Sequence, residues 1–329
     1  MTYLITGGAG FIGSHLAEAL IAKGSRVVVL DNLSTGQREN LGRAAANNSL
    51  RFVQGSVLDE SVVDEVVREA DGVVHLAAAV GVKLIVEQPL PSLTTNIRGS
   101  EIVLAAAQRY GKKILLASTS EIYGKNTNVP LAETADRLLG SPAVARWAYS
   151  TSKAVDEILA YAYQKERGLP TVVARLFNTV GSRQSPAYGM VIPRLVRQAL
   201  AGEPLTVYGD GSQTRCFCHV SDVVDALMKL LDHPDAEGDV FNVGSTEEIS
   251  ILELAQRVKS HVGSTSPIEF IPYDRAYEAG FEDMLRRVPD TSKIASLTGW
   301  KPTRTLNHIL DDVVRESTQE RSRSGTHEE

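Results

Sequence analysis

The chain has 329 residues, which is enough for two ordinary domains or one large α/β unit, so no disulfide or metal is needed to complete a core. Its hydrophobic fraction of 43% and charged fraction of 22% are those of soluble globular enzymes. The formal net charge is −6 and no basic run occurs, so we expect neither nucleic acid nor a membrane as partner. No apolar run approaches the ~18 residues of a membrane span, and a strand rather than a signal peptide opens the chain. An anionic small ligand in a local pocket remains compatible with this charge.

The cysteines and histidines do not indicate a metal site. Cys216 and Cys218 are separated by one residue, which in an extended segment puts both side chains on one face and rarely permits a disulfide. Two cysteines cannot alone complete a four-ligand site, and we assign no metal to them or to neighbouring His219. His75, at the end of a predicted strand, is interpreted as a hydrogen-bonded core residue. Reduced cysteines predict a cytoplasmic protein.

Strands and helices alternate through the first half of the chain. A strand at residues 2–6, a glycine-rich turn, a helix at 14–22 and a strand at 26–30 open the pattern. The strands are continuous apolar runs, which are typical of a parallel sheet covered on both faces. The other predicted elements are strands at 51–55, 72–76, 113–118, 171–177 and 239–243, and helices at 61–69, 93–110 and 149–167. This order predicts an α/β fold with a doubly wound parallel sheet of the Rossmann type.

The texture of the sequence changes at about Gly181, where prolines and glycines mark shorter, loop-rich units. This change predicts a smaller C-terminal domain that is partly interleaved with the first. We place the Rossmann domain at residues 1–178 with return segments at about 216–245, and the second domain mainly at 179–315. The polar segment 316–329 is predicted to be a flexible tail.

The glycine turn suggests a dinucleotide. Gly7, Gly10 and Gly13 follow the first strand with GxxGxxG spacing and open the first helix. Glycine permits a tight turn there and lets backbone N–H groups approach a pyrophosphate at the helix N-terminus. Asp31 ends the second strand, where a carboxylate accepts hydrogen bonds from the adenosine ribose and repels a 2′-phosphate. The pattern predicts NAD in preference to NADP. The alternative is a turn used for packing, with Asp31 as a turn residue.

A second group of residues suggests acid–base chemistry. Tyr149 and Lys153 lie four residues apart on one face of a predicted helix. An ammonium group near a phenol favours the phenolate, so Tyr149 can act as a general base near neutral pH. The run 118–124 leaves the carboxyl end of a predicted strand, where ligands of open α/β sheets bind. In it, Thr119 can bond a substrate oxygen and Glu121 adds a carboxyl group. The alternatives are a surface pair and a polar turn.

Polar residues in the second half of the chain could bind a diphosphate. Asn178 ends a strand, Tyr208 can stack on a base, and Arg215 follows a glycine turn. Arg287 is the second of an arginine pair. Arginine suits diphosphate recognition because its guanidinium binds phosphate in bidentate geometry. Taken alone, these residues are typical of solvated surface loops.

Seven runs of the sequence together resemble one family. They are TGGAGFIGSH, HLAA, STSEIYG, YSTSK, RLFNTVG, TVYGDGSQTRCF and RRVPD. They resemble the extended short-chain dehydrogenase/reductase family, specifically its NAD-dependent nucleotide-sugar epimerases, dehydratases and decarboxylases. The resemblance covers nearly the whole chain. It implies a Rossmann domain that binds NAD, a C-terminal domain that binds the nucleotide sugar, and a homodimer formed through the helices at 93–110 and 149–167.

The resemblance also implies roles for individual residues. The family's catalytic Ser/Thr, Tyr and Lys fall on Thr119, Tyr149 and Lys153. The implied cofactor contacts are Gly7, Gly10, Phe11, Ile12, Gly13, Asp31, Asn32, Ala77, Tyr149 and Lys153. The implied substrate contacts are Thr119, Tyr149, Asn178, Val191, Tyr208, Arg215 and Arg287. In the shared reaction the tyrosine takes the proton of the sugar 4-hydroxyl while NAD⁺ takes the C4 hydride, which gives a transient 4-keto sugar.

Glu121 bears on which branch of this chemistry the chain follows. Thr-Ser-Glu at 119–121 resembles the UDP-glucuronate decarboxylases and the GDP-mannose 4,6-dehydratases, whereas simple 4-epimerases have a small residue in place of the glutamate. In the dehydratases of dTDP-glucose an aspartate stands where this chain has Ser120. In the decarboxylases an arginine that matches Arg287 joins the glutamate, which is therefore included among the catalytic residues. The resemblance favours UDP-glucuronate decarboxylation. The alternatives are a UDP-glucose or UDP-glucuronate 4-epimerase, an NDP-sugar 4,6-dehydratase, and a non-catalytic NAD-binding regulator.

Overall fold

The computed structural model describes the chain except residues 82–84, 86, 186–189, 277–283 and 325–329. Its central sheet is formed by β1 (Thr2–Thr6), β2 (Arg26–Asp31), β3 (Leu50–Gln54), β4 (Gly72–His75), β5 (Lys113–Thr119), β6 (Thr171–Leu176) and β11 (Asp239–Val243). All seven strands are parallel, in the order β11-β6-β5-β4-β1-β2-β3. The winding reverses between β1 and β4, where Thr6 lies opposite His75. The prediction of a doubly wound parallel sheet is confirmed.

Helices cover both faces of this sheet. They are α1 (Phe11–Ala22), α2 (Glu60–Glu69), α3 (Pro89–Arg109), α4 (Ala148–Arg167) and α6 (Val220–Asp232). One core packs α1 and α6 against the sheet, with Leu16 and Val223 fully buried. The other core packs α2, α3 and α4 on the opposite face, with Val66, Val103 and Ala160 fully buried. The strands read as continuous apolar runs because both of their faces are buried.

A third core belongs to the second half of the chain. The elements of this half are β7 (Thr179–Val180), α5 (Val191–Ala201), β8 (Leu205–Tyr208), β9 (Thr214–Cys216), β10 (Cys218–His219), β12 (Glu248–Ser250), α7 (Ile251–His261), β13 (Ile268–Ile271), α8 (Tyr273–Ala276), α9 (Ser292–Thr298) and α10 (Leu306–Ser324). Of these, α9 packs in the first core instead, where Ile294 is fully buried. Leu195, Val207, Leu254 and Leu310 are fully buried in the third core. Strands β7 and β10, β8 and β13, and β9 and β12 form three two-stranded sheets. On the separate cores we propose the domain division at residue 178, with the return segments at about 216–245.

The structure differs from the predicted elements mainly at their ends. Helix α3 begins at Pro89 and α1 at Phe11, both several residues before the apolar periodicity suggests. The predicted start of the tail at residue 316 is wrong, because α10 continues to Ser324. Val313 buries the helix against the third core, and the Glu316 carboxylate accepts a hydrogen bond from the Arg183 N–H at 2.6 Å. Residues 325–329 lie outside the described part of the chain. Among the described helices, none is long and apolar enough to cross a membrane.

A buried ion pair fastens α4 to the sheet. Arg175 on β6 donates to both carboxylate oxygens of Glu157 on α4, at 2.9 and 2.7 Å. The third guanidinium nitrogen donates to the Tyr123 hydroxyl at 2.9 Å, and that hydroxyl donates to Asn242 on β11 at 2.7 Å. Only 9% of the arginine side chain and 6% of the glutamate side chain are exposed. Because a buried charge is costly unless it is paired, this network fixes α4 at one height against β5, β6 and β11.

We predict that Glu157→Gln destabilises the fold by about 3–5 kcal/mol, because it leaves the Arg175 charge buried without its ionic partner. Urea denaturation followed by circular dichroism measures this. A matched control is Asp225→Asn, which removes the exposed pair of Asp225 and Lys229 on α6 and should cost about 1 kcal/mol or less. Equal losses in the two variants would contradict the structural importance of the buried pair.

Candidate active site

The glycine turn lies between β1 and α1, at the point where the winding of the sheet reverses. Gly7 has a φ of +71°, and a Cβ there would lie 2.8 Å from the backbone nitrogen of Ala77, at the end of β4. A Cβ on Gly13 would strike the carbonyl oxygen of Gly7. Helix α1 begins at Phe11, so its first N–H groups lack intrahelical acceptors and point towards the turn. This cradle fits a pyrophosphate bound at the helix N-terminus.

Asp31 closes the other side of this cradle. Its carboxylate accepts hydrogen bonds from the backbone N–H of Ala9 at 2.9 Å and of Leu33 at 2.8 Å, and 7% of the residue is exposed. These bonds point the carboxylate at the turn from the end of β2. Asn32 follows at the surface. Because the Asp31 carboxylate accepts hydrogen bonds, it fits the adenosine half of a dinucleotide whose ribose hydroxyls are free to donate.

Thr119 and Tyr149 meet at the carboxyl end of β5. The Thr119 hydroxyl accepts the Glu121 N–H at 3.2 Å and hydrogen-bonds Tyr149. Burial first, and then the charges of Glu121 and Asp156, raise the pKa of Tyr149, while the Thr119 bond lowers it. The effect of Lys153 on the phenolate stays a prediction.

Lys153 is buried behind the tyrosine. Its ammonium group donates to the Asp156 carboxylate at 2.6 Å, and the two side chains are 3% and 2% exposed. His75 is 1% exposed and shares hydrogen bonds with the hydroxyls of Thr6 at 2.7 Å and Ser100 at 3.1 Å. The interpretation of His75 as a hydrogen-bonded core residue is therefore confirmed. Burial first, then the Lys153 charge, lowers the pKa of His75 to about 3, so the imidazole is neutral.

Two arginines surround Glu121. Arg146 binds its carboxylate in bidentate geometry at 2.5 and 3.0 Å, and Arg287 lies 3.7 Å from the nearer oxygen. Arg287 also donates to the Ser120 hydroxyl at 3.3 Å. Burial alone would raise the pKa of Glu121, but Arg146, Arg287 and the more distant Arg215 outweigh it and lower that pKa. Glu121 is thus a carboxylate at neutral pH.

One cleft between the sheet and the third core brings the predicted substrate contacts together. Its lining includes Glu121, Tyr149, Asn178, Val191, Tyr208, Arg215 and Arg287. Thr119 and Lys153 do not line this cleft. Of the predicted cofactor contacts, Tyr149 lines the cleft, while Gly7, Gly10, Gly13 and Asp31 lie at the glycine turn. Of the described residues that line the cleft, four are arginines and one is a carboxylate. The cleft therefore suits a ligand with several negative charges.

Sequence reasoning missed three charged residues of this site. Arg146 and Arg194 line the cleft, and the Arg194 guanidinium stacks 4.1 Å from the ring centre of Tyr208. Nothing in a single sequence distinguishes these arginines from surface ones. Asp156 could have been found, because it follows Lys153 at the i, i+3 spacing of one helix face. The neighbour of Arg287, Arg286, instead forms an exposed pair with Glu248.

The cradle, the buried lysine and the Thr–Tyr pair define an NAD-dependent enzyme of the extended short-chain dehydrogenase/reductase class. The chain belongs to the GDP-mannose 4,6 dehydratase family, whose sequence model matches residues 4–313. A UDP-N-acetyl-alpha-D-glucosaminuronate decarboxylase of Bacillus cytotoxicus is 40% identical over 313 residues, which are 95% of this chain and 96% of that protein. UDP-glucuronic acid decarboxylase 1 of Danio rerio is 38% identical over 317 residues, 96% of this chain and 72% of that protein.

A solved structure extends these similarities to the fold. The UDP-glucuronic acid 4-epimerase of Bacillus cereus, in complex with UDP-glucuronic acid and NAD, superposes with a TM-score of 0.88 and 28% identity. The superposition covers 97% of this chain and 100% of that one. Relatives of this chain therefore include nucleotide-sugar decarboxylases and an epimerase on one fold.

We predict that Asp31 makes the protein select NAD over NADP, because the 2′-phosphate would meet its carboxylate. Asp31→Ala should weaken NAD binding by about 1.5–3 kcal/mol, tenfold to a hundredfold, and narrow the preference. Isothermal titration calorimetry with both cofactors measures it, and Asp31→Asn separates loss of charge from loss of the turn's hydrogen bonds. Equal affinity of the wild-type protein for NAD and NADP would contradict the prediction.

Proposed function

We propose that the protein decarboxylates a UDP-linked uronate, UDP-glucuronate in the first instance, through a 4-keto intermediate. The observation that carries the proposal is the partly buried Glu121 carboxylate between Arg146 and Arg287, in the same cleft as Tyr149. A simple epimerase requires only removal and return of a hydride at C4, which the tyrosine and the cofactor supply. Charged groups placed further along the sugar suit chemistry at C5.

The positive charge of the cleft supports an anionic sugar. A nucleoside diphosphate would engage Arg215 and Arg194 near the Tyr208 ring, where arginine geometry matches phosphate oxygens. Arg287, beside Glu121, would bind a further anionic group. A C5 carboxylate is such a group, and a charge-assisted hydrogen bond contributes about 1.5–3 kcal/mol.

The relatives support the same assignment, but they do not determine which substituent the sugar carries at C2. Chains named for UDP-glucuronic acid and for the N-acetylated UDP-glucosaminuronate are similarly related to this one. Both substrates carry the C5 carboxylate that the proposal requires. The C2 substituent, a hydroxyl or an acetamido group, is decided by experiment below.

The first step belongs to Tyr149 and Thr119. NAD⁺, when bound in the cradle, supplies the acceptor for the C4 hydride. Tyr149 takes the proton of the 4-hydroxyl, and Thr119 hydrogen-bonds the same oxygen as it becomes a carbonyl. Lys153, held in the interior, supplies positive charge near the base.

The second step breaks the bond between C5 and its carboxylate. With a ketone at C4 the substrate is a β-keto acid, so the electron pair of that bond passes into the ketone as CO₂ leaves. Tyr149 and Thr119 stabilise the enolate oxygen that forms at C4. Arg287 orients the carboxylate, and the ionised Glu121 holds Arg146 and Arg287 in place beside C5. The enolate then takes a proton from solvent at C5 in place of the lost carboxylate. The C4 ketone takes back the hydride, and Tyr149 returns its proton to the C4 oxygen.

A 4,6-dehydratase is the second candidate function. Its supporting observation is the lowered pKa of Glu121, since an ionised carboxylate can act as a base towards the C5 proton. The family description points to the same branch. UDP-sugar 4-epimerisation is the other alternative, since a 4-epimerase shares the fold. The three reactions differ in product mass.

We predict that the purified protein with NAD converts UDP-glucuronate, its N-acetylated C2 analogue, or both, to products lighter by one CO₂. Mass spectrometry after incubation with UDP-, GDP- and dTDP-sugars measures this. Glu121→Gln should abolish most CO₂ release, and Arg287→Ala should lose both binding and turnover by tenfold or more, because a charge-assisted bond is removed.

An exposed Arg–Glu pair outside the cleft provides matched controls for the Glu121 and Arg287 variants. Arg286→Ala and Glu248→Gln make the same chemical changes in the exposed pair outside the cleft, and should leave turnover near wild type. An unchanged product mass from UDP-glucuronate would make the enzyme a 4-epimerase. Loss of water from an uncharged sugar would make it a dehydratase. NAD binding without turnover of any sugar would support the non-catalytic regulator.

We also propose a cytoplasmic homodimer. Helices α3 and α4 pack together and present exposed apolar side chains, which include Leu90 on α3 and Ile158 and Tyr161 on α4. Apolar side chains grouped on adjacent helices are typical of a protein interface. The buried free thiols of Cys216 and Cys218 support a reducing compartment.

We predict that Ile158→Glu converts the protein from dimer to monomer, because it places a charge in the apolar contact. Light scattering coupled to gel filtration measures the mass. Glu101→Gln, at an exposed position of α3, serves as a control for a charge change that leaves these apolar side chains intact. A wild-type monomer would refute the dimer.

A further inference from the structure

We propose that Asp156 is a positioning residue that holds the Lys153 ammonium and thereby sets the pH range in which Tyr149 works as a base. The inference rests on the proposed function only for the assignment of Tyr149 as that base. It concerns the electrostatics behind the tyrosine and does not depend on which sugar is bound.

The first support is the geometry of the ion pair. Tyr149, Lys153 and Asp156 follow one another at helical spacings of four and three residues, so they share one stripe of α4. The Asp156 Oδ2 accepts a hydrogen bond from the Lys153 ammonium group at 2.6 Å, and both side chains are almost wholly inaccessible to solvent. A buried long side chain held by an ion pair has little rotamer freedom, so the aspartate fixes where the ammonium charge lies.

The second support is how the aspartate is itself held. Its other oxygen, Oδ1, has no hydrogen-bond partner among the described residues. Burial raises the pKa of the Asp156 carboxyl group, and the Lys153 ammonium and then the Ser100 hydroxyl on α3 oppose that rise. Ser100 in turn contacts His75, which contacts Thr6 at the end of β1. The Thr6 hydroxyl accepts the Ala77 N–H at 3.3 Å. Buried hydrogen bonds thus run from Ala77 through Thr6 and His75 to Ser100, whose hydroxyl acts on the Asp156 carboxyl group.

The third support is the charge around Tyr149. Asp156 and Glu121 both act to raise the pKa of the tyrosine, one from its own helix and the other from the segment after β5. Burial is the larger cause. The other titratable groups that face the aspartate are Lys153 and Glu157 on its own helix, and Glu157 is matched by Arg175 on β6.

These observations give Asp156 two opposed effects. It fixes the ammonium group near the base, and its negative charge cancels much of the field by which that ammonium would favour the phenolate. Without Asp156 the phenolate would form at lower pH but would be a weaker base. Compared with an unpaired lysine, the ion pair therefore raises the pH at which Tyr149 ionises and can accept a proton.

The direction in which the Tyr149 titration moves when the Asp156 charge is removed tests the proposal directly. Asp156→Asn keeps the shape and removes the charge, so Tyr149 should ionise at lower pH. In the holoenzyme with NAD, ultraviolet titration of tyrosinate reports this ionisation. Because the chain has ten tyrosines, the curve for Tyr149 is obtained by subtracting that of the same protein carrying Tyr149→Phe. We expect its midpoint to move down by about one pH unit, and the acidic limb of the kcat/KM profile to move with it.

Further variants separate this role from a structural one. Asp156→Ser also removes the charge, leaves room for water beside the lysine, and should shift the titration in the same direction even if Asp156→Asn folds poorly. Asp156→Glu restores a negative charge and should return the midpoint towards wild type. Asp225→Asn, in the exposed Asp–Lys pair on α6, should leave the titration unchanged.

A Tyr149 titration that does not move in folded Asp156→Asn or Asp156→Ser would overturn the proposal. So would a shift to higher pH. Failure of the proposed function would look different, since an enzyme that decarboxylates no uronate still gives the spectroscopic titration of its tyrosine.

Discussion

The charges that α4 carries into the interior are the constraint on which the site depends. Lys153, Asp156 and Glu157 are all buried on one helix, and each finds an opposite charge, on the helix itself or on β6. A charge left unpaired at such positions costs several kcal/mol, so the helix can adopt only the rotation and height that satisfy both pairs. Tyr149, one turn before the lysine, is positioned as a consequence. Tyr149, the residue proposed as the base, is thus located by ion pairs in the interior of the protein.

The sheet supplies the second constraint. Because β1, β4, β5 and β6 are parallel, their carboxyl ends meet at one edge, and the winding reverses there. Thr6, His75, Thr119 and Arg175 stand at or near these ends. Buried hydrogen bonds connect Thr6, at the end of β1, through His75 to Ser100 on α3, whose hydroxyl acts on the Asp156 carboxyl group of α4.

The sequence is informative about features that depend on residues close together in the chain. Continuous apolar strands, the glycine turn and the Tyr–Lys spacing predicted the sheet, the cradle and the catalytic helix, because each depends on residues near one another in the chain. Helix α10 was underestimated, since its polar sequence hides a helix held by packing from Val313 and by the Arg183 bond to Glu316. Arg146 was missed because its meaning lies in Glu121, which is 25 residues away along the chain. Long-range pairing of ordinary residue types leaves no trace in one sequence.

The charges at and near the cleft act in two ways. Four arginines line the cleft, and their positive charge attracts a polyanion. Glu121 and Asp156 oppose ionisation of Tyr149. Glu121 takes part in both effects, because Arg146 and Arg287 lie on its carboxylate while its charge acts on the tyrosine. An anionic group bound to Arg287 would compete with Glu121 for that guanidinium, so substrate binding changes the field at the base. In such an arrangement, binding of the sugar carboxylate to Arg287 also changes the charge near the proton-accepting group. The two effects are coupled because the Glu121 carboxylate interacts with both Arg287 and Tyr149.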